Sequence, residues 1–196
     1  VTHARAEMIS QSSSHPFTPT RLPFLHPFFS TPGINPLDEI EYVTRKSVIK
    51  EPTGKVVFEM DDCEVPKGWS QLATDIAASK YFRKAGVPVT GSEKSARQLV
   101  LRIANTIREY GEQHGYFGTP EEAETFGAEL THLLITQKGA FNSPVWFNCG
   151  LHKYGIKSSG GNWHYDEATG TVKMTEDAYS QPQCSACFIQ PVGDDL

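Results

Sequence analysis

The spacing of apolar residues divides this 196-residue chain into stretches of different character. Between residues 40 and 63, Tyr42, Val43, Val48, Ile49, Val56, Val57 and Phe58 form two short β-prone runs. Glu51-Pro52-Thr53-Gly54 between them carries turn chemistry, so the segment predicts a small hairpin. The period then lengthens to three and four residues. A first helix is expected over 70–84, with Ser70 as cap and Leu72, Ile76, Ala77 and Tyr81 near one face. Lys80, Arg83 and Lys84 suit its C-terminal dipole, and Gly86 and Pro88 end it. A second is expected over 92–110, where Ala96, Leu99, Val100, Ile103, Ile107 and Tyr110 form a stripe, with Arg97, Arg102 and Arg108 off it. A third opens on Thr119, Pro120 and Glu122, an N-cap, a first-turn proline and a capping-box partner. Phe126, Leu130, Leu133 and Leu134 form its inner face, and Lys138-Gly139 closes it. These stripes predict a helical bundle over 70–139 and carry no chemistry of their own.

The flanks are less regular. Residues 1–36, rich in Ser, Thr, Pro, His and Phe, show neither period and predict a poorly ordered arm. Its Phe residues offer a docking surface as the other reading. After Gly139 comes an aromatic, irregular run, 141–150, then a long polar connection over 157–183 with Gly160-Gly161 and 166–170 as turn signals. Such a length without periodicity marks a functional loop or an insertion. Residues 185–190 read as a short buried strand. The division expected is an arm (1–36), a hairpin and helical domain (37–139) and a further unit beginning at 140.

Composition narrows the classes. Hydrophobic residues make up 38% and charged residues 21%, an ordinary globular balance. A formal net charge of −5 argues against nucleic acid as a bulk electrostatic partner. No apolar stretch reaches the roughly 20 residues of a membrane span, and 22–29 lacks the pattern of a secretion signal. A cytoplasmic protein without a membrane partner is expected.

The four cysteines are Cys63, Cys149, Cys184 and Cys187. Cys184-Ser185-Ala186-Cys187 is a CxxC with three readings. A zinc site would draw on Cys149, His152 or His164, Cys149 and His152 forming a CxxH. A thioredoxin-like motif would need a helix after the cysteines, which Phe188-Ile189-Gln190-Pro191 disfavours. In the third reading Cys187 alone is a redox thiol presented from a strand, against a background in which buried cysteines are often inert. Ser143-Pro144 offers a hydroxyl and loop amides to a phosphate, or is simply a turn.

Two motifs in order carry a family resemblance. Trp69-Ser70-Gln71-Leu72-Ala73-Thr74-Asp75-Ile76 with Lys80-Tyr81-Phe82-Arg83 resembles the opening helical region of ribonucleotide reductase large chains. Phe141-Asn142-Ser143-Pro144-Val145-Trp146-Phe147-Asn148 with Gln183-Cys184-Ser185-Ala186-Cys187-Phe188-Ile189 resembles the adenosylcobalamin (vitamin B12)-dependent class II, and the likeness runs from about Leu37 to Leu196.

The resemblance implies a radical enzyme that replaces a ribonucleotide 2′-hydroxyl with hydrogen, making deoxyribonucleotides for DNA synthesis. Its cofactor generates a thiyl radical, a cysteine pair supplies electrons, and a thioredoxin-type dithiol resets the pair. By the same resemblance Cys187 is one of that pair, Ser143 contacts substrate near its phosphates, and Ala186 contacts it through the main chain. A mainly α N-terminal helical domain followed by the first strand of a ten-stranded α/β barrel is the implied fold class. Residues 151–181 resemble a subgroup insertion. The thiyl cysteine, the second redox cysteine and most of the cobalamin surface are expected past Leu196, so the chain alone is expected to be inactive. An allosteric nucleotide and a homodimer remain open, as does diphosphate or triphosphate substrate. The alternative is a non-enzymatic helical binding module whose tail holds zinc through Cys149, His152, Cys184 and Cys187.

Overall fold

A computed structural model describes residues 25–187. Strands β1 (Tyr42–Lys50) and β2 (Val56–Pro66) pair antiparallel, from Tyr42 opposite Pro66 to Lys50 opposite Val56. They form the hairpin expected over 40–63. Cys63 and Val65, two residues apart on β2, face the core with no exposed surface, while Val56 and Val57 at the tip stay in solvent.

Helix α1 (Gln71–Ile76) starts where Ser70 Oγ accepts from the Ala73 N–H at 3.0 Å. It widens into one π turn, Ala77–Tyr81, closed by the Phe82 N–H donating to the Ala77 carbonyl at 2.9 Å. The helix expected to reach residue 84 therefore stops at Tyr81. Phe82 enters the core and frees the Arg83 N–H to bond the Glu93 carboxylate at 2.8 Å. Helix α2 (Ala96–Gln113) opens with a capping box: Ser95 Oγ accepts from the Arg97 N–H at 3.0 Å and Gln98 Oε1 from the Ser95 N–H at 3.2 Å. Ala96, Leu99, Val100 and Ile103 are buried as their spacing requires.

Helix α3 (Pro120–Ile135) has Thr119 as N-cap, accepting from the Glu122 N–H at 3.3 Å. The Glu122 carboxylate reaches back one residue further than a capping box does, to the Gly118 N–H. Helices α2 and α3 pack side by side, and Gly127 lets the Arg108 stem cross, since a Cβ there would stand 2.9 Å from its Cδ. The Trp69 indole N–H donates 2.8 Å to the Ile135 carbonyl, satisfying an orphan acceptor at the end of α3 and tying that helix to the hairpin. No described helix is long and apolar enough to cross a membrane.

Two expectations about the remainder are corrected. The run over 141–150 holds helix α4 (Ser143–Asn148), capped by Asn142 with Pro144 in its first turn. The connection thought to lack periodicity holds a second hairpin, β3 (Asn162–Asp166) and β4 (Thr171–Thr175). Its apolar residues, Trp163 and Tyr165 on one strand and Val172 and Met174 on the other, alternate as a strand signal does, but over only five residues each, and they point to solvent.

The fold class is therefore not a mainly helical domain followed by a barrel strand. Among the described residues it combines two small antiparallel sheets, the first of them early in the chain, with four α-helices. Residues 181–187 form no strand, because no described strand lies alongside to take their backbone hydrogen bonds. Residues 188–190 of the expected strand fall outside the described chain, as do residues 1–24 of the expected arm.

The described end of that arm lies on α3. One Glu129 carboxylate collects the N–H groups of Phe28, Phe29 and Ser30 at 2.8–3.0 Å and the Ser30 hydroxyl at 2.6 Å. Phe29 stacks on His132 and lies under the Lys138 ammonium, 4.7 Å away. Partial burial raises the Glu129 pKa, but the bonds from Ser30, Phe29 and Phe28 together outweigh it and hold the carboxyl below its usual range. A depressed carboxylate pKa contributes stability above the unfolded value of about 4.3, lost as pH falls through the folded value. Protection of the Phe28–Ser30 amides, measured against their intrinsic exchange rates, is therefore expected to fall below about pH 4, and Glu129→Gln to lower it at neutral pH. Equal exchange in wild type and variant at pH 7 would contradict the latch.

Candidate functional site

Helix α4 is the element around which the candidate residues gather. Trp146 is its anchor: the ring is buried against Tyr81 and Phe141, and its indole N–H donates 2.8 Å to the Phe141 carbonyl. That bond folds residues 141–146 into a tight entry and sets the rotation of the helix. Ser143, at the first helical position, then sits half-buried with its hydroxyl 3.2 Å from the Tyr81 hydroxyl. Tyr81 also packs on Phe147, whose ring centroid is 5.5 Å away. Beside Tyr81 and Phe147 lies a cleft of about 500 Å³ whose rim includes Lys80, Arg83, Lys84 and Tyr179. Cations and aromatic rings together suit an anionic ligand with a flat ring.

Beneath α4 runs a buried polar clamp. Arg102 and Glu93, both almost wholly buried, pair with Nε to Oε1 at 2.7 Å. Arg102 also donates to the carbonyls of Cys149 and, at 3.1 Å, Trp146, the free acceptors at the end of α4. Glu93 accepts from the Arg83 N–H at 2.8 Å and the Tyr154 hydroxyl at 3.0 Å. Burial first, and the Glu93 carboxylate second, push the Tyr154 hydroxyl pKa up, so it stays a donor. Gly150 completes the clamp. With φ at +79° and a Cβ position 2.6 Å from the Arg102 carbonyl oxygen, only glycine lets α4 approach α2 so closely.

The cysteines divide unexpectedly. Cys149, the buried C-cap of α4, and Cys184, half-exposed on the returning segment, pack into one apolar cluster. Asn148 Nδ2 donates to the Gln183 carbonyl at 3.1 Å and pins the two segments one residue earlier. Hydrogen bonding to Cys184 and burial raise the Cys149 pKa, and the same bond lowers that of Cys184, making it the better thiolate. Cys63 is inert: burial pushes its thiol up to about 11.

Of the residues singled out from sequence, Ser143 is therefore lodged against Tyr81, whereas Ala186 and Cys187 are exposed on the segment beyond Cys184. Among the described residues no hydrogen bond joins Ser143 to Ala186 or Cys187. The zinc set does not form: no group of three or more His, Cys, Asp or Glu among the described residues is placed to hold a metal ion, and His152 is exposed. Sequence reading missed Glu93 and Tyr154 and left Arg102 outside the core. An off-stripe arginine normally faces water, and nothing local marks Glu93 as its partner.

Comparison with known proteins gives this arrangement a lineage. Residues 43–137 match the family model of the class II vitamin B12-dependent ribonucleotide reductases. The chain belongs to that family, of which it carries N-terminal sequence. It is 44% identical, over 89% of its length, to the vitamin B12-dependent ribonucleotide reductase of Rhodopirellula baltica. The enzymes of the same name from Agrobacterium fabrum and Streptomyces avermitilis are 42% and 46% identical over 86% and 85% of the chain. The chain spans 17%, 16% and 14% of these relatives, about a sixth of their length.

Removing one partner of the buried pair strands the other. Arg102→Met is expected to lower stability by about 3–5 kcal/mol, read from the urea midpoint. Adding Glu93→Leu should cost less than the sum of the two single losses, because neither charge is then left unpaired. Strict additivity would show that the two side chains are not coupled.

Proposed function

We propose that this chain forms part of a ribonucleotide reductase, converting ribonucleoside di- or triphosphates to deoxyribonucleotides in the cytoplasm. The observation that carries the reading is the 40–46% identity to enzymes of that name over 85–89% of the chain. Adenosylcobalamin would supply the radical that starts the reaction. The described residues do not themselves fit a corrin ring: their clefts hold about 500 to 680 Å³ and mix charged and polar groups with apolar ones. Burying so large a ligand needs a more extended apolar wall.

The roles of this chain's own residues follow from their chemistry. Cys187 is an exposed thiol, open to a substrate and to a reductant alike. It gives a proton to the departing 2′-hydroxyl, which leaves as water. With a second thiol of the full-length enzyme it then supplies two electrons and closes a disulfide. A thioredoxin-type dithiol reopens that disulfide and is itself oxidised. Ser143 Oγ, steadied by Tyr81, donates to a substrate phosphate oxygen, and Ala186 contributes only main-chain groups.

Two measurements on the full-length enzyme test these roles. Cys187→Ser should reduce turnover with a dithiol to background while the substrate Kd stays within about twofold, since serine cannot form the disulfide. Wild-type turnover would remove Cys187 from the reaction. Ser143→Ala should raise KM about tenfold, the worth of one charge-assisted hydrogen bond, with kcat little changed. An unchanged KM would remove Ser143 from substrate binding.

A further inference from the structure

The reaction sketched above uses Cys187 and leaves the contact between Cys149 and Cys184 without a role. We propose that Cys149 and Cys184 are a reversible dithiol–disulfide pair, which on oxidation staples the end of α4 to the segment leading to Cys187. The proposal does not depend on Cys187 being catalytic.

Three features of the geometry support it. The two cysteines are neighbours in one apolar cluster although 34 residues separate them, so the fold has already brought together segments that a disulfide would join. Their segments are held in register by the bond from Asn148 Nδ2 to the Gln183 carbonyl, and both side chains belong to one apolar cluster. That register is supported from below as well, because the Cys149 carbonyl is fixed by Arg102 and Gly150 sits tight against α2.

The pair is also asymmetric in the way thiol exchange needs. Cys184 is the accessible partner, and the Cys149 S–H that it accepts favours its thiolate; Cys149 is buried behind it. The oxidant is a low-molecular-weight aliphatic disulfide. The Cys184 thiolate attacks one of its sulfurs, forming a mixed disulfide and releasing the first small thiol. Cys149 then attacks the Cys184 sulfur, gives up its proton and displaces the second small thiol. The protein loses two electrons and two protons, and the small disulfide gains both. A dithiol reverses the sequence.

The adjacent CxxC makes Cys187 the rival partner. Geometry favours Cys149: it shares an apolar cluster with Cys184 and the two segments are pinned by Asn148 and Gln183, whereas Cys187 is exposed.

The test is made on the full-length protein. It is incubated with oxidised glutathione, quenched with N-ethylmaleimide, digested without reduction and read by mass spectrometry. The expected products include a cross-linked peptide pair in which fragmentation assigns the bridge to Cys149 and Cys184, lost on adding dithiothreitol, with Cys63 still alkylated after unfolding. In Cys149→Ser, Cys184 should accumulate as a lasting glutathione adduct. The proposal is overturned if the wild-type protein instead bridges Cys184 to Cys187 or to a cysteine elsewhere. It is equally overturned if Cys149 and Cys184 stay as alkylatable as in untreated protein.

Discussion

The pairing of Arg102 with Glu93 inside the protein constrains nearly everything around it. Two charges taken out of water are tolerable only if their remaining hydrogen-bonding capacity is used. Arg102 spends its other donors on the carbonyls that end α4, and Glu93 accepts from the Arg83 main chain and Tyr154. Four separate pieces of chain are thus obliged to meet at one point. The π turn that ends α1 early, the left-handed glycine after α4 and the turn over Leu151–Tyr154 all serve that meeting.

From this clamp the candidate site inherits its geometry. Helix α4 has only six residues and would not persist alone in water. It is held by Trp146 on one side and Arg102 on the other, so Ser143 and Cys149, at its two ends, stand at defined places. Ser143 looks toward Tyr81, which itself borders the cation-rimmed cleft; Cys149 looks toward the returning segment. A rigid support under a short helix is a suitable base for residues whose chemistry depends on reach.

The second hairpin has a different character. It turns four large apolar side chains outward and contributes little to the core. Its strands are joined by their ladder and by a tight turn in which Asp166 bonds both Thr169 and Lys173. Local turn chemistry, rather than burial, specifies it, and its alternation of apolar residues spans only five residues on each strand, a much shorter signal than the stripes of α2 and α3.

What the sequence determined by itself was whatever is decided within a few residues. The stripe of Leu99, Val100 and Ile103, the Thr119-Pro120 start of α3 and the turn between β1 and β2 are local signals, and each produced its element. The two motifs around Ser143 and Cys187 also disclosed the family, because specific residue order survives where general pattern is ambiguous. Tertiary structure alone decided the rest. That Arg102 is buried, that Tyr81 meets Ser143, and that Cys149 meets Cys184 rather than a metal are contacts across 9 to 62 residues. The expected strand after Cys184 fails among the described residues for the same reason. A strand is completed by a neighbour, and a buried charge by a partner, and neither is written in the residues beside it.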